Sequence, residues 1–187
     1  AEAGETPEPP VHEHVFVNGE CACGEKDPNY VAPEVPTNEI VFDFTTGSTG
    51  IGSGYNASPA EITMNGITFG YLQMKSSGYS GSNFVMFCKS TDAHIYNKTP
   101  FAGSIVKIEV FIPSGASASA QYFLSLHTEA AAGNITSTVS YKGAGASFTI
   151  EATEAEGFKY FNLSSDSTTT KNGQLAKIVV TLANGSV

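Results

Sequence analysis

The chain has 187 residues, of which 41% are hydrophobic, so it is long enough for one well-packed core and too short for two full-sized domains. It contains no arginine and its lysines are scattered, which excludes the concentrated cationic surface that nucleic-acid binding needs. No uninterrupted apolar run approaches the roughly 18 residues of a membrane-spanning helix, so we expect no membrane insertion.

The negative charge lies mostly in the first part of the chain. Residues 1–39 carry nine acidic side chains and one lysine, whereas residues 40–187 carry nine acids and eight lysines. Residues 1–11 and 28–39 are also punctuated by proline, which favours extended linkers. Only 14% of all residues are charged, and Ser, Thr, Gly and Ala are abundant, as in many exported bacterial proteins. We therefore expect a secreted or cell-surface protein.

Between these linkers, residues 12–27 form a segment rich in histidine and cysteine. An Asn-Gly pair at 18–19 predicts a tight hairpin in which Phe16 pairs with Cys21. Strand alternation then places four potential zinc ligands on one face. These ligands are His12, His14, Cys21 and Cys23.

The spacing leaves alternatives to zinc. The His-x-His and Cys-x-Cys pairs are closer than the usual gaps of two to four residues between zinc ligands. Cys21 and Cys23 could instead form a disulfide, which we favour less because its ring is small, or remain reduced without metal. A four-ligand zinc has no open coordination position, so the metal would be structural and not required for ligand binding.

Residues 40–187 change to short apolar segments separated by Gly, Ser, Asn and Thr, which predicts the main domain. Strands are expected at 41–44, in a 61–70 hairpin turning at Asn65-Gly66, and in later segments. The later segments are 83–88, 104–113, 121–127, 136–141, 146–152, 158–163 and 174–185. No segment of ten or more residues has helical periodicity. The sequence therefore predicts an all-β, antiparallel, jelly-roll-like β-sandwich preceded by a small hairpin.

Two of these strands alternate strictly between apolar and polar positions. Alternation predicts core-facing Val106, Ile108, Val110 and Ile112 in the first, and core-facing Ala176, Ile178, Val180 and Leu182 in the second.

No assembled catalytic set is visible. Neither His94 nor His127 lies in a recognisable catalytic motif, and Cys88 is interpreted as a buried free thiol rather than a reactive one. We therefore expect a protein that is not an enzyme. Four Asn-x-Ser/Thr triplets are treated as chance occurrences.

Binding is better supported, because tyrosine rings stack on sugars while polar side chains bond their hydroxyls. Such residues concentrate between positions 69 and 97, with one more in the loop before them. The candidate residues are Tyr55, Tyr71, Gln73, Lys75, Tyr79, Asp92 and Tyr96. The alternative is that tyrosines such as Tyr71 and Tyr96 fill the edge of the core.

Two resemblances follow from these segments. HEHVFVNGECACGEKDPNY resembles short His/Cys knuckles in cell-surface proteins of gut Firmicutes, although the usual cysteine pair there is separated by two residues. IVFDFTTG, NGITF, IYNKTPFAGSIVKIEV, GFKYFNLSS and QLAKIVVTL resemble, in order, β-sandwich modules of secreted gut-bacterial proteins that are similar in fold to carbohydrate-binding modules.

The second resemblance implies a non-catalytic module within a larger multidomain surface protein. It implies a polysaccharide partner, with a starch-type α-glucan, as in starch-adherence proteins, as the first candidate. The alternative is a structural spacer or a protein-binding adhesin module.

Overall fold

A computed structural model describes residues 15–17, 20–30, 37–46, 49–79, 82–136, 139–143, 145 and 147–183. The chain divides into two units, Ala1–Val35 and Pro36–Val187. The finer boundaries expected for linkers, hairpin and sandwich stay predictions. Within the described ranges, no helix is long and apolar enough to cross a bilayer.

The described secondary structure consists of β-strands and one short 3-10 turn. The strands are β1 (Phe16–Val17), β2 (Glu20–Cys21), β3 (Thr37–Asp43), β4 (Ala60–Met64), β5 (Ile67–Leu72), β6 (Met74–Tyr79), β7 (Ser82–Phe87), β8 (His94–Asn97), β9 (Ile105–Phe111), β10 (Gln121–His127), β11 (Val139–Lys142), β12 (Ser147–Glu151), β13 (Tyr160–Ser165), β14 (Gly173–Leu175) and β15 (Lys177–Ala183). The 3-10 turn spans Glu154–Glu156.

The first unit contains the predicted hairpin. Strands β1 and β2 pair antiparallel, and Phe16 lies opposite Cys21 as the sequence predicts. The connecting residues 18–19 lie outside the described part of the chain. An isolated bridge between Glu20 and Lys26 extends the pairing beyond the two strands.

The second unit is an antiparallel β-sandwich, which confirms the predicted fold class. Its six-stranded sheet has the order β11-β10-β13-β8-β5-β4, and its four-stranded sheet has the order β12-β9-β15-β3. A three-stranded sheet, β14-β7-β6, completes the unit. The core includes Phe42 of the four-stranded sheet and Phe69 of the six-stranded sheet, whose ring centroids are 4.9 Å apart at 82°. Edge-to-face packing of this kind is favourable for aromatic pairs.

The alternation in β9 is interrupted by a β-bulge. Ile108, Val110 and Ile112 are buried as predicted. Val106 is only half-buried, and its predicted place in the core is taken by Ile105, which is fully buried. The cause is a one-residue shift in the ladder between β9 and β15, because an extra residue on one strand reverses side-chain parity beyond it.

The segment predicted as one strand over 174–185 is two strands in different sheets. β14 pairs with β7, whereas β15 pairs with β3 and β9. Ala176 lies at the break, where its amide donates to the Phe111 carbonyl and its carbonyl accepts from the Phe44 amide. It is half-buried rather than a full core residue. The other predicted core residues of this segment are buried, namely Ile178, Val180 and Leu182.

The predicted hairpin turn between β4 and β5 also connects the two large sheets. Asn65 and Gly66 have φ values of 50° and 77°, the left-handed conformation that a tight two-residue turn requires. The Asn65 side-chain amide donates to the Val41 carbonyl at 2.8 Å. Val41 belongs to β3, so this bond satisfies one acceptor on an edge strand of the opposite sheet.

Candidate functional site

The outer face of the six-stranded sheet carries a transverse row of aligned residues. Glu61 lies opposite Gly70, Gly70 opposite Tyr96, and Tyr96 opposite Asn162. Ile95, the neighbour of Tyr96 on β8, belongs to the buried core. Because side chains alternate along a strand, Tyr96 points away from that core.

The Tyr96 ring lies directly against the backbone of Gly70. A Cβ atom at position 70 would stand 2.7 Å from the ring, closer than real contacts allow. The ring is half-buried, with part of its surface facing an adjacent cleft. Glycine in the middle of β5 is therefore what allows the tyrosine to occupy this position.

The cleft has a volume of about 130 Å³. Its polar and aromatic lining consists of Glu61, Tyr71, His94, Tyr96 and Lys98, and small residues of the neighbouring segments complete the walls. It therefore presents one half-buried ring beside a carboxylate, an ammonium group and an imidazole.

One wall of the cleft belongs to the strap, which we define as residues 128–136. The fully buried Asn162 side-chain amide donates to the carbonyls of Ala131 at 2.8 Å and Gly133 at 2.9 Å. The Ser164 hydroxyl donates to the Asn162 side-chain oxygen and accepts from the strap amide of Ile135. These bonds fix the strap against the outer face of the sheet.

His94 is a second fixing point for the strap. Its Nδ1 lies 2.7 Å from the Asp92 carbonyl, and its Nε2 lies 3.2 Å from the Gly133 amide nitrogen. A carbonyl can only accept and an amide N–H can only donate, so the imidazole is neutral with its proton on Nδ1. Burial lowers the pKa of His94, and the interactions with Asp92 oppose this shift.

Glu61 and Lys98 form an ion pair at the mouth of the cleft. Their side chains are 56% and 43% exposed, so the pair is accessible to solvent. The hydrogen bond from Lys98 to the Glu61 carboxylate raises the pKa of Lys98. Because exposed ion pairs contribute little to stability, Glu61 and Lys98 can exchange each other for a ligand with little loss of folding free energy.

Two of the seven predicted ligand-binding residues meet in this cleft. Tyr71 and Tyr96 both line it. Tyr71 is only 6% exposed and packs with the hydrophobic core, so most of its ring is unavailable for stacking. Tyr96 offers more surface.

Three other predicted residues lie around the start of β6. The Lys75 ammonium lies 4.9 Å from the centroid of the Tyr55 ring, a cation–π contact. Desolvation raises the pKa of Tyr55, whose hydroxyl is buried with no hydrogen-bond partner among the described residues. Gln73 has a φ of 55°, and its amide donates to the Asn56 carbonyl, so its backbone makes the turn into β6.

Cys88, the free thiol, is half-buried.

The last two predicted residues are placed differently. Asp92 has an exposed side chain and touches the cleft only indirectly, through its backbone carbonyl, which accepts a hydrogen bond from His94 Nδ1. The side chain of Tyr79 lies outside the described part of the structure.

In the first unit, Cys21 and Cys23 are joined by a disulfide, the alternative that the sequence favoured less. Their sulfurs are therefore not thiolates in this structure. His12 and His14 lie outside the described residues, so the four-ligand zinc set stays a prediction. Within the described ranges, no group of three or more His, Cys, Asp or Glu side chains is arranged to hold a metal ion.

Sequence reasoning did not select Glu61, Lys98 or Gly70 for this site. A glycine inside a strand pattern often marks the close approach of another group, so Gly70 carried a usable signal. Glu61 and Lys98 are far apart in sequence, and only the pairing of β4, β5 and β8 brings them together. The strap carried no such signal.

No protein-family model matches this chain, and no curated protein matches it. Among solved structures, it is similar to a family 29 carbohydrate-binding module from Piromyces equi, with 9% identity and a TM-score of 0.49, covering 79% of this chain and 92% of that one. It is also similar to the K2 cleaved adhesin domain of Lys-gingipain, with 16% identity and a TM-score of 0.45, covering 76% of this chain and 99% of that one. A third similar structure is the K1 cleaved adhesin domain of Lys-gingipain from Porphyromonas gingivalis W83. It has 13% identity and a TM-score of 0.38, and the match covers 79% of this chain and 99% of that one. Similarities this distant carry no information about the ligand.

Proposed function

We propose that residues 36–187 form a non-catalytic carbohydrate-binding module that holds a glycan in the cleft beside Tyr96. The observation that carries this proposal is a tyrosine ring supported from behind by Gly70 and flanked by the exposed Glu61–Lys98 pair. An aromatic ring beside hydrogen-bonding groups matches the apolar face and the hydroxyl edge of a sugar.

The size of the cleft limits how much glycan it can hold. Its volume of about 130 Å³ is well below the roughly 300–1,000 Å³ of typical small-molecule pockets. The ligand contact is therefore a single sugar ring or chain end, and single-site affinity is expected to be weak. A multidomain parent protein on the cell surface or in the secreted fraction of a bacterium would gain affinity through multivalency.

The composition of the cleft supports binding without catalysis. Glycoside hydrolysis usually needs two carboxyl groups across the scissile bond. Among the described residues that line the cleft, Glu61 supplies the one carboxylate, and it is paired with Lys98. A starch-type α-glucan is the first ligand to test.

The test is affinity electrophoresis and pull-down of the full chain against starch, amylopectin, pullulan, xylan, cellulose and mucin. Tyr96→Ala should abolish retention by one polysaccharide class, whereas Tyr96→Phe, which keeps the ring, should retain most of it. Tyr55→Ala serves as a matched tyrosine variant outside the cleft and should bind like the parent chain. Retention that survives Tyr96→Ala unchanged would exclude this cleft as the site.

A second candidate is a structural spacer or protein-binding adhesin module, and one observation favours it. In the described part of residues 36–187, the exposed large hydrophobic residue is Val41, and no aromatic side chain joins it. A row of exposed aromatic rings, common on glycan-binding faces, is thus absent from those residues. Failure of all six polysaccharides to retain the parent chain would favour this second function.

A further inference from the structure

The charged groups that line the cleft balance each other. Glu61 and Lys98 form an ion pair at its mouth, and among the described residues no other lining side chain is a carboxylate or an ammonium group. His94 also lines the cleft, but its two hydrogen bonds require the neutral imidazole. The lining therefore carries no net charge at neutral pH.

A further carboxylate lies beside this lining. Burial lowers the pKa of His94, whereas the backbone hydrogen bond and the negative charge of Asp92 act to raise it. The Asp92 carboxylate is therefore within electrostatic reach of the imidazole in the wall of the cleft. An anion bound there would meet the negative charges of Glu61 and Asp92, with the Lys98 ammonium as the balancing cation.

The ion pair can exchange its internal bond for two bonds to a sugar. An ammonium group can only donate hydrogen bonds and a carboxylate can only accept them, whereas a hydroxyl group does both. One ring hydroxyl can therefore donate to Glu61 while an adjacent hydroxyl accepts from Lys98. Both side chains are accessible to solvent, and an exposed pair contributes little to stability, so the exchange costs little folding free energy.

Tyr96 places the sugar ring next to this pair. The tyrosine ring covers the backbone of Gly70, and Gly70 lies directly opposite Glu61 in the ladder between β4 and β5. Neighbouring strands are about 4.8 Å apart, so a sugar stacked on the tyrosine lies within one strand spacing of the strand that carries the carboxylate. The stacking surface and the ion pair can thus contact the same sugar ring.

A charged sugar cannot use the pair in the same way. An acidic sugar that binds Lys98 brings its carboxylate beside Glu61, and two like charges about 4 Å apart in water cost roughly fivefold in affinity. A protonated amino sugar that binds Glu61 meets the same conflict with Lys98. An uncharged sugar has neither conflict.

We infer that the cleft selects an uncharged sugar, which inserts two adjacent hydroxyl groups between Glu61 and Lys98, and that it discriminates against acidic sugars. This inference rests on the proposed function and adds the chemical class of the glycan. Glu61 is then a specificity-determining residue, because its carboxylate both accepts from the neutral sugar and repels the acidic one.

The experiment measures binding of the full chain, at neutral pH and low salt, to pairs of polysaccharides that differ in charge. Starch, amylopectin, pullulan and cellulose are each paired with the form whose primary hydroxyls are oxidised to carboxylates. Arabinoxylan is paired with glucuronoxylan, and desialylated mucin is paired with native mucin. In whichever pair is bound, the neutral member should bind more tightly by roughly fivefold or more.

Two matched variants separate the cleft from the rest of the chain. The chain has a formal net charge of -9, so the whole molecule also repels acidic polymers. Glu61→Gln and Glu109→Gln each remove one negative charge, and Glu109 pairs with Lys107 on the four-stranded sheet, away from the cleft. Relative to Glu109→Gln, Glu61→Gln should reduce the preference for the neutral polymer by roughly fivefold.

The possible failures are distinguishable. An acidic polymer that binds as tightly as its neutral counterpart, and loses that binding in Tyr96→Ala, would overturn the inference and leave the proposed function standing. Equal preferences in the two glutamine variants would also overturn the inference. Absence of binding to every polymer would refute the proposed function, and the inference with it.

Discussion

The substitution Asn162→Asp tests whether the strap is held by the buried amide beneath it. Asn162 is fully buried, and its amide group donates to two strap carbonyls, those of Ala131 and Gly133. An aspartate has the same shape, but its ionised carboxylate cannot donate. The substitution therefore replaces two hydrogen bonds with two repulsive oxygen contacts and leaves the volume of the side chain unchanged.

The expected loss of stability follows from these two bonds. Leaving a buried polar group without its partner costs about 1–3 kcal/mol, so two carbonyls give a central value of about 4 kcal/mol. For a chain of this size, each kcal/mol lowers the melting temperature by about 2–4 °C. The variant should thus melt roughly 8–16 °C below the parent chain at neutral pH.

The assay is urea unfolding at pH 7, with Asn172→Asp as the matched control. Asn172 uses its side-chain oxygen to accept from the Lys89 amide, and aspartate retains that acceptor. Both variants add one negative charge, so their difference reports the two lost donor bonds together with the cost of burying the carboxylate at position 162. Equal urea midpoints for the two variants would refute this account of the strap. Acidification should narrow the difference, because a protonated carboxyl regains one donor.

Three further predictions concern single contacts. Burial lowers the pKa of His94, so this imidazole takes up a second proton more readily in the unfolded chain than in the folded one. The stability that depends on neutral His94 should therefore be fully present above about pH 6.5, the ordinary pKa of histidine, and should be lost as the pH falls below it. Urea midpoints from pH 7.5 to 5 should show this fall, and His94→Gln should reduce it to the contribution of His127, whose pKa burial also lowers. Asn65→Asp should lower the free energy of unfolding by about 0.5–1.5 kcal/mol by losing its exposed hydrogen bond to the edge strand. Asn65→Gly, which keeps the turn conformation, should lose less in the same urea assay. Gly70→Ala should displace the cleft tyrosine, lowering the free energy of unfolding by about 1–3 kcal/mol. Gly52→Ala, with open space at its Cβ, should match the parent in thermal unfolding.

Alternation and turn chemistry predicted most of the sandwich because each acts locally. The Asn65-Gly66 hairpin and the 121–127 strand appear where the sequence places them. Val106 was assigned to the wrong face because a bulge depends on the partner strand, which a single-strand pattern does not contain. The break of this segment into two strands at Ala176 was not predicted for the same reason, because it lies where the chain passes from one sheet to another.

The candidate site was harder to predict, because its residues come from separate strands. Both residues are tyrosines, so residue type alone could not show that Tyr71 is buried and Tyr96 is more accessible. The asparagines of the four Asn-x-Ser/Thr triplets were set aside as chance, yet each side chain forms hydrogen bonds that fix loops or strands. These residues are Asn56, Asn97, Asn134 and Asn162. Composition does not reveal such roles, because they depend on which carbonyl groups the fold brings within reach.

The pairing of β3 with β15 has a mechanical consequence. Thr37 begins β3 and lies opposite Ala183, the end of β15, so the chain enters and leaves the sandwich at the same end of one antiparallel pair. The ladder bonds run perpendicular to the strands. Tension applied between Thr37 and Ala183 would therefore break these bonds one after another, like a zipper, instead of loading all of them in shear. A β-sandwich loaded in this way is expected to unfold at low force.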